Sequence, residues 1–270
     1  MGRSENSNKV SVSIGDDYVA TVEFSNGEFN FFDMDMLIGL AEAFGALDQE
    51  AKCRAIVLCS SGKAFCAGAD FRGGRQGARP QGLQSQDSDG SVSGHLYDQA
   101  VRLFATKKPI VTAVHGAAVG GGLGLALVGD LRVGCPESRF AANFTQLGIH
   151  PGFGLSFTLP RIVGQQAAYD LFYTGRRVRG DEALEIGLLD QMVPQEAVRA
   201  VAIERAAAIA GAAPLAVMSV RETLRGHFAQ EVRAATDREL AEQNWLLKTN
   251  DAREGVTAVA ERRAGRFTGT

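Results

Sequence analysis

The chain predicts an α/β fold around a largely parallel sheet, and three observations carry that prediction. Short, mainly apolar runs recur at Ala55-Ile56-Val57-Leu58-Cys59, Ile110-Val111-Thr112-Ala113-Val114 and Leu131-Arg132-Val133-Gly134. Such runs, lacking polar alternation, mark strands buried on both faces. Segments of helical period separate them, and strand, helix and strand in series make right-handed crossovers within one sheet. From Gln195 onward the period is helical to the end of the chain.

Taken in order, Val10 to Phe24 reads as two alternating runs about a Gly15-Asp16-Asp17 turn, which predicts a hairpin at the start of the sheet. Met34 to Leu47 has apolar residues at helical spacing. Residues 73–94 are rich in Gly, Ser, Gln and Asp and hold almost no large apolar side chains, so a mobile loop is expected. Helices are expected over Glu196–Ala210, Leu215–Arg225, Phe228–Leu247 and Asp251–Arg263. The division that follows is a core over 1–195 and a helical layer over 196–270, with no internal repeat.

Composition narrows the function. With 270 residues, 45% hydrophobic side chains and a net charge of -3, the chain has no broad basic bias, which argues against nucleic acid as its main partner. Cys53, Cys59, Cys66 and Cys135 show no CxxC spacing, and MGRSENSNKV has no apolar core of a signal sequence. A reduced, cytoplasmic setting is expected, with no metal site. The longest apolar stretch, Pro109 to Val128, is broken by His115 and by glycines, so no membrane insertion is expected.

Two segments carry the chemistry. Ser60-Ser61-Gly62-Lys63-Ala64-Phe65-Cys66-Ala67-Gly68-Ala69-Asp70 leaves a buried strand through small residues, which let a ligand approach the backbone and its N–H groups. Val114 to Leu127 runs from a strand through Gly120, Gly121 and Gly122 into a helical stretch, where an N–H at Gly121 can face a developing oxyanion. A tight turn in the first segment and close helix packing in the second are the alternative readings.

Together KAFCAGAD, KPIVTAVHGAAVGGGLGLALVGDLRV, RFAANFTQLGIHPGFGLSFTLPRIVG and FYTGRRVRGDEALEIGLLDQMVP resemble the crotonase (enoyl-CoA hydratase/isomerase) superfamily over nearly the whole chain. The resemblance implies a crotonase-like spiral of ββα turns with a C-terminal helical layer that serves trimerisation. It also implies homotrimers or dimers of trimers, an acyl-CoA thioester as ligand, and no cofactor beyond the coenzyme A moiety. Ala69 and Gly121 would supply the two oxyanion-hole N–H groups, and the Ala67 backbone would meet the adenine. Asn30 keeps part of an early coenzyme motif in which Glu28 replaces a basic residue, and Arg72 matches a basic position near the coenzyme phosphates. Arg262, Arg263, Arg266 and Phe267 resemble the basic-aromatic ending of the family.

The departures are as informative. The family's two hydratase glutamates fall at Gly124 and Phe144, and an acid used by other branches falls at Gly152. None of these residues moves a proton. His150 is the expected replacement base, and Tyr97 the expected donor to an anion, with loop and packing roles as alternatives. Asp70 follows the oxyanion donor as a cap or ligand contact, and Phe144 is expected to line an apolar acyl pocket. The expected function is an acyl-CoA-binding, enoyl-CoA hydratase/isomerase-like enzyme of fatty acid metabolism with a nonstandard acid or base. The alternative is a non-catalytic acyl-CoA binder or sensor.

Overall fold

The computed structural model of the protein describes residues 9–71, 84–86 and 92–270. The first two strands, Val10–Ile14 and Val19–Phe24, pair antiparallel about the turn at Gly15. From there the sheet is parallel. Ala55–Ser60, Ile110–Val114, Leu131–Gly134 and Gln191–Met192 follow in spatial order to complete six strands. Every residue of Ala55–Ser60 and Ile110–Val114 is buried, as their apolar runs require.

Both faces of the sheet are covered. One packs against a large core that includes Phe24, Phe44, Leu58 and Phe65, with the helix Met34–Gln49 laid across it. The other face packs Val57, Val111 and Val133 against Val198, Ala202 and Ala206 of the helix Val198–Ala210. A second, three-stranded sheet of Arg177–Arg179, Arg139–Ala141 and Ala117–Val119 stands beside the first. This mixed architecture agrees with the spiral that the sequence motifs imply.

One expectation needs revision. Gln84–Gln86 and Val92–His95, all but His95 placed in a loop by composition, form an antiparallel ladder. Ladder bonds join backbone groups, so a polar composition does not forbid them. The remainder of 73–94, and Arg72, lie outside the described residues.

The helix Pro214–Arg225 buries none of its residues and is anchored by charge. Asp130 accepts hydrogen bonds from Arg221 Nε at 2.9 Å and from Arg225 Nη1, and its Oδ2 also caps the Ile110 N–H at 2.8 Å. Burial alone would raise the Asp130 carboxyl pKa, but the two guanidinium charges and the hydrogen bonds outweigh it and hold it below the usual carboxylate range. Because the folded value is depressed, the stabilisation is complete above the unfolded value of about 4 and is lost as pH falls through the folded one. Asp130→Asn is expected to cost about 3 kcal/mol, toward the lower end for a broken buried pair because the carboxylate keeps some solvent contact. A urea-unfolding series measured from pH 7 down to pH 3 checks this, with the difference from the parent protein shrinking toward the acid end.

Candidate functional site

The two glycine-rich segments meet. Cys66 and Ala118 form a parallel bridge in which the Cys66 N–H donates to the Ala117 carbonyl at 2.9 Å and the Val119 N–H to the Cys66 carbonyl at 3.0 Å. On the other side, the Phe32 N–H donates to the Gly68 carbonyl at 3.0 Å. Glycine is obligatory at two points of this contact. A Cβ on Gly122 would lie 2.0 Å from the Cys66 carbonyl oxygen, and one on Gly68, at φ +79°, would lie 2.5 Å from the Val119 carbonyl oxygen.

The contact carries Ala69 and Gly121 into the wall of one cavity of about 620 Å³. Gly121 opens the helix Gly121–Ala126, so its N–H has no intrahelical acceptor. Among the described residues neither the Ala69 nor the Gly121 N–H has a hydrogen-bond partner. Two free donors on converging segments are suited to hold one anionic or carbonyl oxygen. Phe31, Phe32, Phe144, Phe153, Leu240 and Leu247 make much of the cavity apolar, and Asp70, His95, Tyr97, Asn143 and Gln243 are among its polar groups.

What occupies the three positions without acids is defined by packing. The ring of Phe153 lies on Gly124, where an added Cβ would come within 2.8 Å of both Phe153 Cβ and Cδ1. Phe153 is buried at φ 64°, a conformation unusual for a non-glycine residue, and its ring centroid lies 5.8 Å from that of Phe32, tilted by 34°. At Gly152 an added Cβ would come within 2.0 Å of the Tyr97 hydroxyl. Phe144 is buried and lies across Gly120, its Cζ 3.8 Å from where a Cβ would stand there. The volumes are filled by neighbouring side chains.

The residues expected at the site from sequence divide into two sets. Ala67, Ala69, Asp70, Tyr97, Gly121 and Phe144 line the cavity together. The Ala67 N–H is committed to the Phe29 carbonyl at 3.0 Å, so only its carbonyl is left for a ligand. Asn30 does not reach the cavity. It is fully buried at φ 50°, its amide donating to the Ser61 and Ala64 carbonyls and its oxygen accepting from the Asn26 N–H. That side chain holds the turn beneath the site. His150 lines an adjoining cavity of about 710 Å³, with Nδ1 2.9 Å from the Pro151 carbonyl, and Ile149 is shared by both cavities. Glu28 pairs with Lys63 at the surface. In the C-terminal tail Arg263 pairs with Glu254 and Glu261.

Tyr97 has a defined hydrogen-bond polarity. Gln243 Nε2 donates to the His150 carbonyl at 2.8 Å, which turns Gln243 Oε1 toward Tyr97 as acceptor of its hydroxyl proton at 2.8 Å. Burial, followed by the negative charge of Glu239, drives the phenol pKa far above its usual value, so it remains protonated.

Glu239 is fully buried and caps the helix Leu155–Val163, accepting from the Gly154 N–H at 2.8 Å, the Ser156 N–H at 2.9 Å and the Ser156 hydroxyl at 2.6 Å. Burial raises its pKa, with the bonds from Ser156 and Gly154 opposing. Cys66, the neighbour of Ala67, is buried and its thiol pKa is pushed up to about 12 by burial, which makes it a poor nucleophile. Among the described residues no group of three His, Cys, Asp or Glu is placed to hold a metal ion. Nor is any single described helix long and apolar enough to cross a membrane.

Spiral fold, paired free N–H groups and an aromatic chamber define a crotonase-type protein. Comparison with known proteins agrees. The enoyl-CoA hydratase/isomerase family model matches residues 15–270. A crotonyl-CoA hydratase of Syntrophomonas wolfei is 31% identical over 240 residues, covering 88% of this chain and 89% of that protein. A 1,2-epoxyphenylacetyl-CoA isomerase of Escherichia coli is 29% identical, covering 89% and 90%. The crystal structure of an enoyl-CoA hydratase/isomerase from Pseudoalteromonas atlantica superposes with a TM-score of 0.84 at 27% identity, covering 96% of this chain and all of that one. The chain belongs to the enoyl-CoA hydratase/isomerase family.

The packing of Phe153 on Gly124 predicts a coupled pair. Gly124→Ala is expected to destabilise the protein by about 2 kcal/mol through overpacking. In a Phe153→Gly background, where the ring is gone and φ 64° suits the new residue, the same change is expected to cost less than about 0.5 kcal/mol. A double-mutant cycle of thermal unfolding measures the coupling.

Proposed function

We propose that this protein binds acyl-coenzyme A thioesters in the aromatic chamber and polarises the thioester carbonyl with the Ala69 and Gly121 N–H groups. One observation supports this reading above the rest: the two N–H groups are free, face one cavity, and stand on segments joined by a backbone bridge. Two preorganised donors favour the oxygen as it gains negative charge, and loss of either is expected to cost about 3 kcal/mol of transition-state stabilisation. An enolate-like or tetrahedral intermediate would draw on the same donors. The relatives named for crotonyl-CoA and 1,2-epoxyphenylacetyl-CoA chemistry make coenzyme A thioesters the natural ligand class.

The reaction differs from ordinary hydration in this proposal. Gly124, Phe144 and Gly152 present no carboxylate, and the space at 124 and 152 is taken by Phe153 and Tyr97. An enzyme of this design carries its acid or base elsewhere, with His150 the group expected from sequence. A second reading, a non-catalytic acyl-CoA binder or sensor, is favoured by the filled positions alone. Trimers or paired trimers belong to the proposal, and the exposed Leu215, Val220 and Leu224 of the helix Pro214–Arg225 offer an apolar face for assembly. A cytoplasmic place in fatty acid metabolism completes it.

Turnover of 2-enoyl- and 3-enoyl-CoA thioesters of short, long and aromatic acyl groups, with calorimetric binding on the same samples, tests the proposal. Saturable binding is expected. Turnover that disappears in His150→Ala supports the enzyme with a relocated base, binding without turnover supports the sensor, and absence of both overturns the coenzyme assignment. Phe144→Ala is expected to weaken aromatic acyl-CoA binding about tenfold by removing apolar contact.

A further inference from the structure

We infer that His95 is a ligand-binding residue of this chamber, a neutral imidazole whose Nε2–H meets an acceptor oxygen on the acyl group. The inference rests on the acyl-CoA reading above and adds a substrate class to it: thioesters whose acyl portion carries a second oxygen, as a ketone or hydroxyl.

The local backbone fixes the proton. His95 ends the strand Val92–His95 and is the N-cap of the helix Leu96–Phe104, at φ -115° and ψ 149°. Its own N–H donates to Asp98 Oδ2 at 3.2 Å, and its ring Nδ1 accepts the Tyr97 N–H at 3.3 Å. A backbone N–H only donates, so Nδ1 carries a lone pair and the neutral ring bears its proton on Nε2. The ring lies edge to face with Tyr97, centroids 4.3 Å apart. Among the described residues Nε2 has no hydrogen-bond partner, and His95 lines the cavity.

Burial favours the neutral ring against the neighbouring charge. Burial lowers its pKa, and Asp98 opposes that shift. Asp98 is itself paired with Arg233 at 2.7 Å, from the helix Phe228–Leu246. Tyr97 commits its proton to Gln243, and Asp70 and Arg177 are the charged residues that line the same cavity. A neutral imidazole in this tautomer offers the ligand a donor and no basic lone pair. A donor facing a largely apolar chamber loses water when an acyl chain enters, and an oxygen on that chain restores the lost bond.

Two measurements test this. Long-range nitrogen–proton correlation spectra of the 15N-labelled full chain are expected to show His95 protonated on Nε2 near pH 7; an Nδ1-protonated ring overturns the inference. Calorimetry then compares an alkanoyl-CoA with the 3-oxo- and 3-hydroxyalkanoyl-CoA of equal chain length, on the parent protein and on His95→Asn. Asparagine is a favoured N-cap and retains an acceptor for the Tyr97 N–H, but its side chain is too short to reach as far into the chamber. The parent is expected to prefer at least one oxygenated ligand by about tenfold. His95→Asn is expected to abolish that preference, bringing the ratio of oxygenated to alkanoyl-CoA affinity to about one. No preference in the parent, or one that persists in the variant, overturns the role of His95. Failure of the parent to bind any of the three removes instead the acyl-CoA reading on which the inference stands.

Discussion

How closely the backbone at Cys66–Ala69 approaches the backbone at Ala117–Gly122 governs the rest of the site. A side chain at Gly122 or Gly68 would collide with a carbonyl oxygen of the opposing segment, so the bridge between Cys66 and Ala118 exists only with glycine at both positions. Given the bridge, the N–H groups of Ala69 and Gly121 have no acceptor among the described residues and remain available to a ligand. The parallel sheet behind them supplies the rigidity: the strands that deliver these segments, Ala55–Ser60 and Ile110–Val114, are adjacent and wholly buried.

The C-terminal helices line the same chamber through Leu240, Gln243 and Leu247. Glu239 and Gln243 lie one turn apart on the helix Phe228–Leu246. The first caps the helix Leu155–Val163, and the second joins Tyr97 to the backbone at His150. Between those two anchors the chain passes through Gly152 and Phe153, whose left-handed backbone throws the aromatic ring onto Gly124. The glycines at 124 and 152 are thus the complement of Phe153 and Tyr97. An acidic side chain placed at 124 alone would meet the Phe153 ring.

The sheet was legible because strands buried on both faces need uninterrupted apolar residues, and Ala55–Ser60 and Ile110–Val114 meet that need. The two glycine-rich segments were legible because close backbone approach demands glycine in a recognisable order. Side-chain partners distant in the chain were not. Glu239 lies 85 residues from Gly154, and its helical register alone gives no sign that a helix N-terminus stands in front of it. His150 and Tyr97 looked alike in sequence, each a polar residue beside a glycine-rich or helical motif. Only packing sends one to the adjoining cavity and the other into the chamber. The hydrogen-bonding capacity of Asn30 was equally hidden, because its acceptors are carbonyls of a turn more than thirty positions away.

In the proposed function two backbone N–H groups hold a thioester oxygen. Carbon-13 NMR of an acyl-CoA labelled at the thioester carbonyl, recorded free and bound, observes that oxygen's environment without requiring turnover. Donation from Ala69 and Gly121 withdraws electron density from the carbonyl carbon, so its resonance is predicted to move downfield on binding. A bound thioester whose carbonyl resonance stays at its free position would contradict the account.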